Sequence, residues 1–401
     1  MKTNINKKSP KLFDFVAMAA LTVAVLILSG CPGANSAGRS GGNTGSGGGQ
    51  VTPPTPASKS KYTVTFSVGD ANGSLKAMVG STEIHSGDKV EQGKTVTFTA
   101  TANKDYEVKE WTNNGAPIAA AGTNKTYTHT VTAAANIKVS FTEDKTYTVG
   151  GVSFTMKKIA SVTGKSIGHT DQVRNKPHSV SLSAYLIGET EVTQALWKAV
   201  MGTNPSHFKD SIKNPVEKVN WYDCIVFCNE LTKKVYGTKE CIYTVEGHTY
   251  GTADATADKT PVMDMSKKGF RLPTEAEWEW AAMGGTEHQW AGTSTEGELK
   301  DYAWYNANSN YKTHEVKLKS ANGYGLYDTS GNVWEWYWDW NNGTTPADGQ
   351  MDPTGLASGV NRVRRGGSWI DGAGDAARAY RHMYPPNGAS FSLGLRLVSR
   401  P

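Results

Sequence analysis

Apolar and polar residues alternate in short runs from Lys61 to Glu143, as YTVTFSV, KTVTFTATA, YEVKEW, YTHTVT and NIKVSFT, separated by the turn-forming DANG, HSGD and NNGAP. A period of two puts successive side chains on opposite faces of a strand, so this stretch predicts a small all-β module of about five or six strands. Beyond Lys145 the alternation gives way to a Trp- and Gly-rich chain in which two stretches carry helical spacing. TEVTQALWKAVMG has Thr190 as its N-cap and Gly202 past its end. TEAEWEWAAMGG follows Pro273, with Thr274 as cap and Glu277 three residues on, a capping box. In VWEWYWDW, period two puts Trp334, Trp336, Trp338 and Trp340 on one strand face and Glu335 and Asp339 on the other. Four indoles on one face read first as a core layer and only second as a ligand platform. Most of the remainder is loop and short strand, so residues 145–401 predict an α+β domain of complex topology.

The 401 residues suffice for two or three domains, and the formal net charge of +5 is spread without basic runs, so nucleic acid is not an implied partner. At the N-terminus, Lys2, Lys7, Lys8 and Lys11 precede an apolar run from Phe15 to Leu28 that is too short for a comfortable membrane span and reads as a secretory signal. Its ending, Leu28-Ser29-Gly30-Cys31, resembles a bacterial lipobox. That resemblance implies that residues 1–30 are removed and that Cys31 carries lipid, making a membrane the anchor. An ordinary signal with a chance cysteine is the alternative. Residues 31–60, rich in Gly, Ser and Pro, cannot bury enough surface to fold and read as a flexible tether. The expected location is the cell envelope, lipid-anchored and surface-exposed at the outer membrane.

Cys224, Cys228 and Cys241 remain, an odd number for an exported chain. The apolar spacing of NWYDCIVFCNEL puts Cys224 and Cys228 on one helix face, where buried inert thiols are the plain reading. A metal pair would need further ligands at a familiar spacing, which the sequence does not supply. A bridge from Cys241 to either helix cysteine stays open. Arg365, Arg378, Arg381 and Arg396, charged residues in a Trp-rich domain, read as internal hydrogen-bond forks. HExxH, a phosphate loop and a nucleophile elbow are absent from the sequence, and His178 and His314 read as structural or solvated rather than as metal ligands.

Residues 61–143, above all GKTVTFTATANKDYEVKEW with NIKVSFTED, resemble repeat modules of the internalin B-repeat type. That implies a β-grasp-like spacer without chemistry. The later blocks VSLSAYLIGETEVTQALWKAVMG, NPVEKVNWYDCIVFCNEL, FRLPTEAEWEWAA, NGYGLYDTSGNVWEWYWDW, RVRRGGSW and LGLRLV resemble, in family order, the formylglycine-generating-enzyme or sulfatase-modifying-factor family. The resemblance implies a variant of the C-type lectin fold. The family's oxidases hold copper on two cysteines, whose positions here are Asp371 and Ala376. Neither offers the soft sulfur copper needs, so no copper is expected. The family also implies a calcium site at Asp328 and Glu335 through carboxylates and at Gly331 and Val333 through carbonyls, oxygen donors in a tight turn.

The closing segment, framed by RVRRGGSW and LGLRLVSRP, resembles the variable region of proteins diversified by retroelements. In those genes, codons altered at adenines encode a restricted residue set. Ile370, Asp371, Gly372, Gly374, Asp375, His382, Tyr384, Asn387, Gly388, Ala389, Ser390, Phe391 and Ser392 all belong to that set, while the neighbouring Met383 does not. The expectation is a non-catalytic surface lipoprotein that binds a protein or surface ligand through residues 370–392. Two alternatives stand beside it: a divergent enzyme of the family working without copper, and a structural envelope protein in which the fold serves only assembly.

Overall fold

The computed structural model describes residues 59–401 apart from Asp105 and Ala257, so the expected signal, Cys31 and nearly all of the tether lie outside the described residues. From Lys61 to Thr142 the chain forms only strands, in two sheets. One runs Asp88–Glu91, Lys61–Val68, Ala135–Thr142, Glu107–Asn113 and Ala116–Pro117; the other runs Thr82–Ile84, Gly73–Val79, Thr95–Ala102 and Thr126–Thr130. Inward residues such as Val64, Phe98, Trp111 and Ile137 close a separate core between them. The strands are more numerous than the alternation predicts: its five runs form strands of about the expected length, and Gly73–Val79, Thr82–Ile84, Asp88–Glu91 and Ala116–Pro117 join them. Among the described residues no helix crosses either sheet, so the helix that β-grasp architecture would add is missing; the connecting stretches carry turn residues rather than helical spacing.

The remainder is mostly strand and loop with three helices: α1 (Gln194–Met201), α2 (Trp221–Val235) and α3 (Glu275–Met283). The Thr274 capping box opens α3 as the sequence predicts. For α1 the cap is Thr193, not Thr190, while Gly202 ends the helix in a left-handed turn. The three-residue offset has a tertiary cause. Val192 gives its N–H to Leu395 O at 2.9 Å and Thr193 bridges to Pro215, so the chain stays extended there.

Two sheets organise the domain. Lys145–Val149, Val152–Ile159, Tyr185–Gly188 and Val398–Ser399 bring the domain's beginning and end together. The other has the order His382–Tyr384, Asn361–Arg365, Trp334–Asn341 and Leu393–Gly394. For three of its four indoles the Trp strand divides the core as its alternation predicts, while Trp340 is half-buried and joins neither core cluster. Trp334 and Trp336, with Trp338 against them, join the α1 and α2 cluster, and Tyr337 joins the α3 cluster. Cys224, Cys228 and Cys241 are all free and buried, which closes the question of a bridge among them.

Four long charged side chains are buried between these layers. Arg365 reaches Glu275 and Glu279 at 2.5 and 2.9 Å, Arg378 reaches Glu279 at 3.3 Å, Arg381 pairs with Glu275, and Arg396 with Glu335. These are the internal forks the sequence predicts, and α3 supplies much of the acid through its first two turns. His178 and His314 are structural too. His178 binds Lys176 O at 2.8 Å, and His314 stacks on Trp304 at 3.8 Å.

Candidate functional site

Between the frame strands, the closing segment divides into two accessible stretches around a pinned turn. Ile370 is 44% exposed, Gly374 is exposed, and Asp371, Gly372 and Asp375 are half-buried. Ala376 to Ala379 are buried, and Arg378 and Arg381 nail this turn down. The chain surfaces again at His382 and Tyr384, which pair with the Asn361–Arg365 strand. Asn387, Ala389 and Phe391 are exposed, with Gly388 and Ser390 half-buried among them. Backbone bonds from Trp221 N–H to Pro386 O and from Lys218 N–H to Ser390 O tie this second loop to the start of α2. Ser392 departs from expectation. It is buried, its carbonyl accepts the Trp334 N–H at 2.8 Å, and it belongs to the frame because the Leu393–Gly394 strand begins one residue later.

The glycines separate frame from surface. Gly367 has φ +69°, and a Cβ there would stand 2.8 Å from the Ala376 backbone; at Gly394 it would meet Val216 O at 2.3 Å. Gly372 and Gly374 lie outside the left-handed region. An added Cβ at Gly372 meets only Asp375 Oδ2, at 3.8 Å, and at Gly374 it meets nothing. Larger residues therefore fit at the two surface positions and not at the two frame positions.

Sequence reasoning missed the polar centre of this surface. Arg364 lies opposite Trp336 on one neighbouring strand and His382 on the other. Its guanidinium sits 4.6 Å over the Trp334 ring and 4.9 Å over Tyr384, and its Nε donates to His382 Nδ1 at 3.2 Å. Burial lowers the pKa of Arg364, and burial together with Arg364 lowers that of His382, leaving the imidazole neutral at pH 7. Alternation along RVRR puts Arg362 and Arg364 on one face and Val363 and Arg365 on the other, but only strand pairing separates the sealed Arg362 from the half-buried Arg364. At the rim, Phe391 packs on Trp369 at 5.8 Å and beside His207 at 6.1 Å.

The copper positions offer no fitting donor set, and the expected calcium carboxylates are partly taken up by the chain itself. At the copper positions, Asp371 accepts Trp334 Nε1–H at 2.7 Å and the Ser368 hydroxyl, and Ala376 is a buried methyl. A lone carboxylate already engaged by the frame does not suit a soft ion. Of the expected calcium ligands, Glu335 gives both oxygens to Arg396. Asp328 accepts the Lys317 N–H at 2.9 Å, and its Oδ1 is buried without a partner. Among the described residues, no group of three or more His, Cys, Asp or Glu side chains could hold an ion. The Arg396 guanidinium supplies a positive charge beside Glu335, while the unpartnered Asp328 Oδ1 and the buried Glu191, its pKa raised by burial and by Asp328 and Glu335, are features that would favour a cation.

The profile of the sulfatase-modifying factor enzyme 1-like domain matches residues 132–401, beginning just ahead of the last strand of the small module. The solved structure of Treponema denticola variable protein 1 is 52% identical, with a TM-score of 0.61, over 64% of this chain and 99% of that one. A chaperone protein LppX of Paenibacillus barcinonensis is 33% identical over 55% of this chain and 81% of its own length. A formylglycine-generating enzyme of Streptomyces coelicolor is 39% identical over 33% of this chain, which spans about half of that enzyme, 47%.

Proposed function

This chain belongs to the sulfatase-modifying factor enzyme 1-like family, and within that family we propose that it is a non-catalytic variable protein that binds a ligand at the cell surface. The contact residues in this reading are Ile370, Gly372, Gly374, Asp375, His382, Tyr384, Asn387, Ala389, Ser390 and Phe391, with lipid on Cys31 as the anchor. The contrast between the fixed frame glycines Gly367 and Gly394 and the replaceable Gly372 and Gly374 carries the reading. A catalytic pocket needs its residues held to one identity and geometry. A recognition surface on a rigid scaffold tolerates exchange of side chains while its backbone stays put. The 52% identity to a variable protein over nearly all of that protein's length supports the same reading.

The test is a library of the full chain with these positions randomised. Most members should fold with melting temperatures near the parent, whereas randomising Gly367 and Gly394 should abolish folding. Wholesale unfolding of the surface library would sink the proposal. Oxygen consumption by copper-loaded protein with a cysteine-containing peptide should stay at background, and turnover would revive the enzyme reading. In the gene, a downstream near-copy of the closing segment with adenines at these codons, beside a reverse transcriptase, is the expected arrangement.

A further inference from the structure

We propose that this surface takes a carboxylate from an acidic side chain of a protein partner on the guanidinium of Arg364; the inference rests on the reading of the closing segment as a contact surface. Arg271, Arg365, Arg378, Arg381 and Arg396 each pair with a carboxylate of this chain. Arg362 is sealed in the core between the Trp221 and Trp340 rings, at 3.7 and 3.4 Å. Arg364 shares neither fate. Among the described residues no carboxylate lies within ion-pair distance of it, and its only hydrogen bond is the one from Nε to His382. Its two terminal nitrogens are unpartnered and, unlike Arg362 Nε, are not sealed from solvent.

The surroundings fix this cation without neutralising it. The Trp334 and Tyr384 rings hold the guanidinium, so little side-chain freedom remains to be lost when a partner arrives. A guanidinium with free terminal N–H groups matches a carboxylate in a two-bond fork, and a half-buried charge gains more from that pairing than an exposed one. The nearby acids do not fill the place. Asp371 is bound by Trp334 and Ser368, and Asp375 by the Tyr380 hydroxyl. Both lie in the variable segment, so what stands at 371 and 375 sets how strongly an outside acid is drawn. The accessible apolar side chains Ile370, Met383 and Phe391 point to a protein as the source of the acid, since a free sugar acid leaves them uncovered.

The test is selection of a random heptapeptide display library on the full mature chain. An Asp or Glu should recur at one position next to an apolar residue. A synthetic peptide of the selected sequence should lose about tenfold in affinity, ~1.4 kcal/mol, when that acid becomes its amide. Arg364→Gln should cost the same, checked for folding by its melting temperature, and Asp375→Asn should tighten binding. The proposal is overturned if no peptide is enriched, if selected peptides carry no recurrent acid, if the acidic peptide binds Arg364→Gln equally well, or if free sialic acid displaces it at its own binding concentration. Peptides that bind a chain carrying Ile370→Ser and Phe391→Ser without loss would instead overturn the contact-surface reading itself.

Discussion

Arg396 grips Glu335 through Nε and one terminal nitrogen, at 2.7 to 3.1 Å, in a place where neither residue is more than 1% exposed. The same guanidinium donates to Gly188 O at 2.9 Å and Tyr327 O at 2.8 Å, joining the closing segment to the Trp strand, the Tyr185–Gly188 strand and the loop at Tyr327. Glu191 lies close by, its pKa raised by burial and by the charges of Asp328 and Glu335. Arg396→Met should therefore leave buried acids uncompensated and cost about 3–5 kcal/mol in urea unfolding, while adding Glu335→Leu should recover much of the loss. Millimolar calcium should leave the wild-type melting temperature unmoved. A clear rise would make Asp328 a ligand after all.

The frame and surface glycines predict opposite responses to one methyl group. Gly374→Ala should change unfolding stability by less than ~0.5 kcal/mol, because the added carbon meets nothing. Gly367→Ala should cost at least about 1–2 kcal/mol for the left-handed backbone alone, before the contact with Ala376 is counted. Equal costs at the two positions would contradict the division between frame and surface.

What could be read from the sequence follows the range of the interactions involved. The Thr274–Glu277 box closes within one turn and is visible in four letters, whereas Thr193 wins over Thr190 through contacts with residues far along the chain. The arginine forks were legible as charges in a Trp-rich domain, but not their partners. Glu275, Glu277 and Glu279 look like an acidic helix start, yet all three are buried because Arg271, Arg365, Arg378 and Arg381 reach them from other elements. The bounds of the proposed contact surface come from its frame blocks RVRRGGSW and LGLRLVSRP. Its division by the turn at Ala376–Arg381, and the place of Arg364 at its centre, depend on strand pairing that a segment without periodicity does not reveal.

Asp339 predicts a pH signature. It is 5% exposed, on the wall of a cavity of about 310 Å³ that also reaches Glu275 and Arg381. Burial, with the charge of Glu275 adding to it, pushes its carboxyl up to about 7. An acid with a folded pKa above its unfolded value, about 3.9, binds its proton more tightly in the fold, so its contribution to stability falls as pH rises from about 4 to about 7 and then levels. Asn at this position stays neutral and still accepts the Glu275 N–H that Asp339 takes at 2.9 Å. The stability of Asp339→Asn relative to wild type should therefore grow across that window and stay constant above it. Urea unfolding at a series of pH values measures this, and a difference that does not vary with pH would refute it.

Gly388 and Tyr384 should behave as one unit rather than as two independent surface positions. A Cβ at Gly388 would lie 2.5 Å from the Tyr384 ring, and that ring is one of the two over the Arg364 guanidinium. Gly388→Ala must therefore turn the ring aside and loosen the cation it covers, whereas in a Tyr384→Ala background the same methyl group finds room. A double-mutant cycle on unfolding stability should give a coupling of about 0.5–3 kcal/mol, the range for residues in contact. The same cycle read on acidic-peptide affinity should show Gly388→Ala weakening binding only while Tyr384 is present. Additive effects in both readouts would mean that the ring neither contacts position 388 nor helps to hold Arg364 in place.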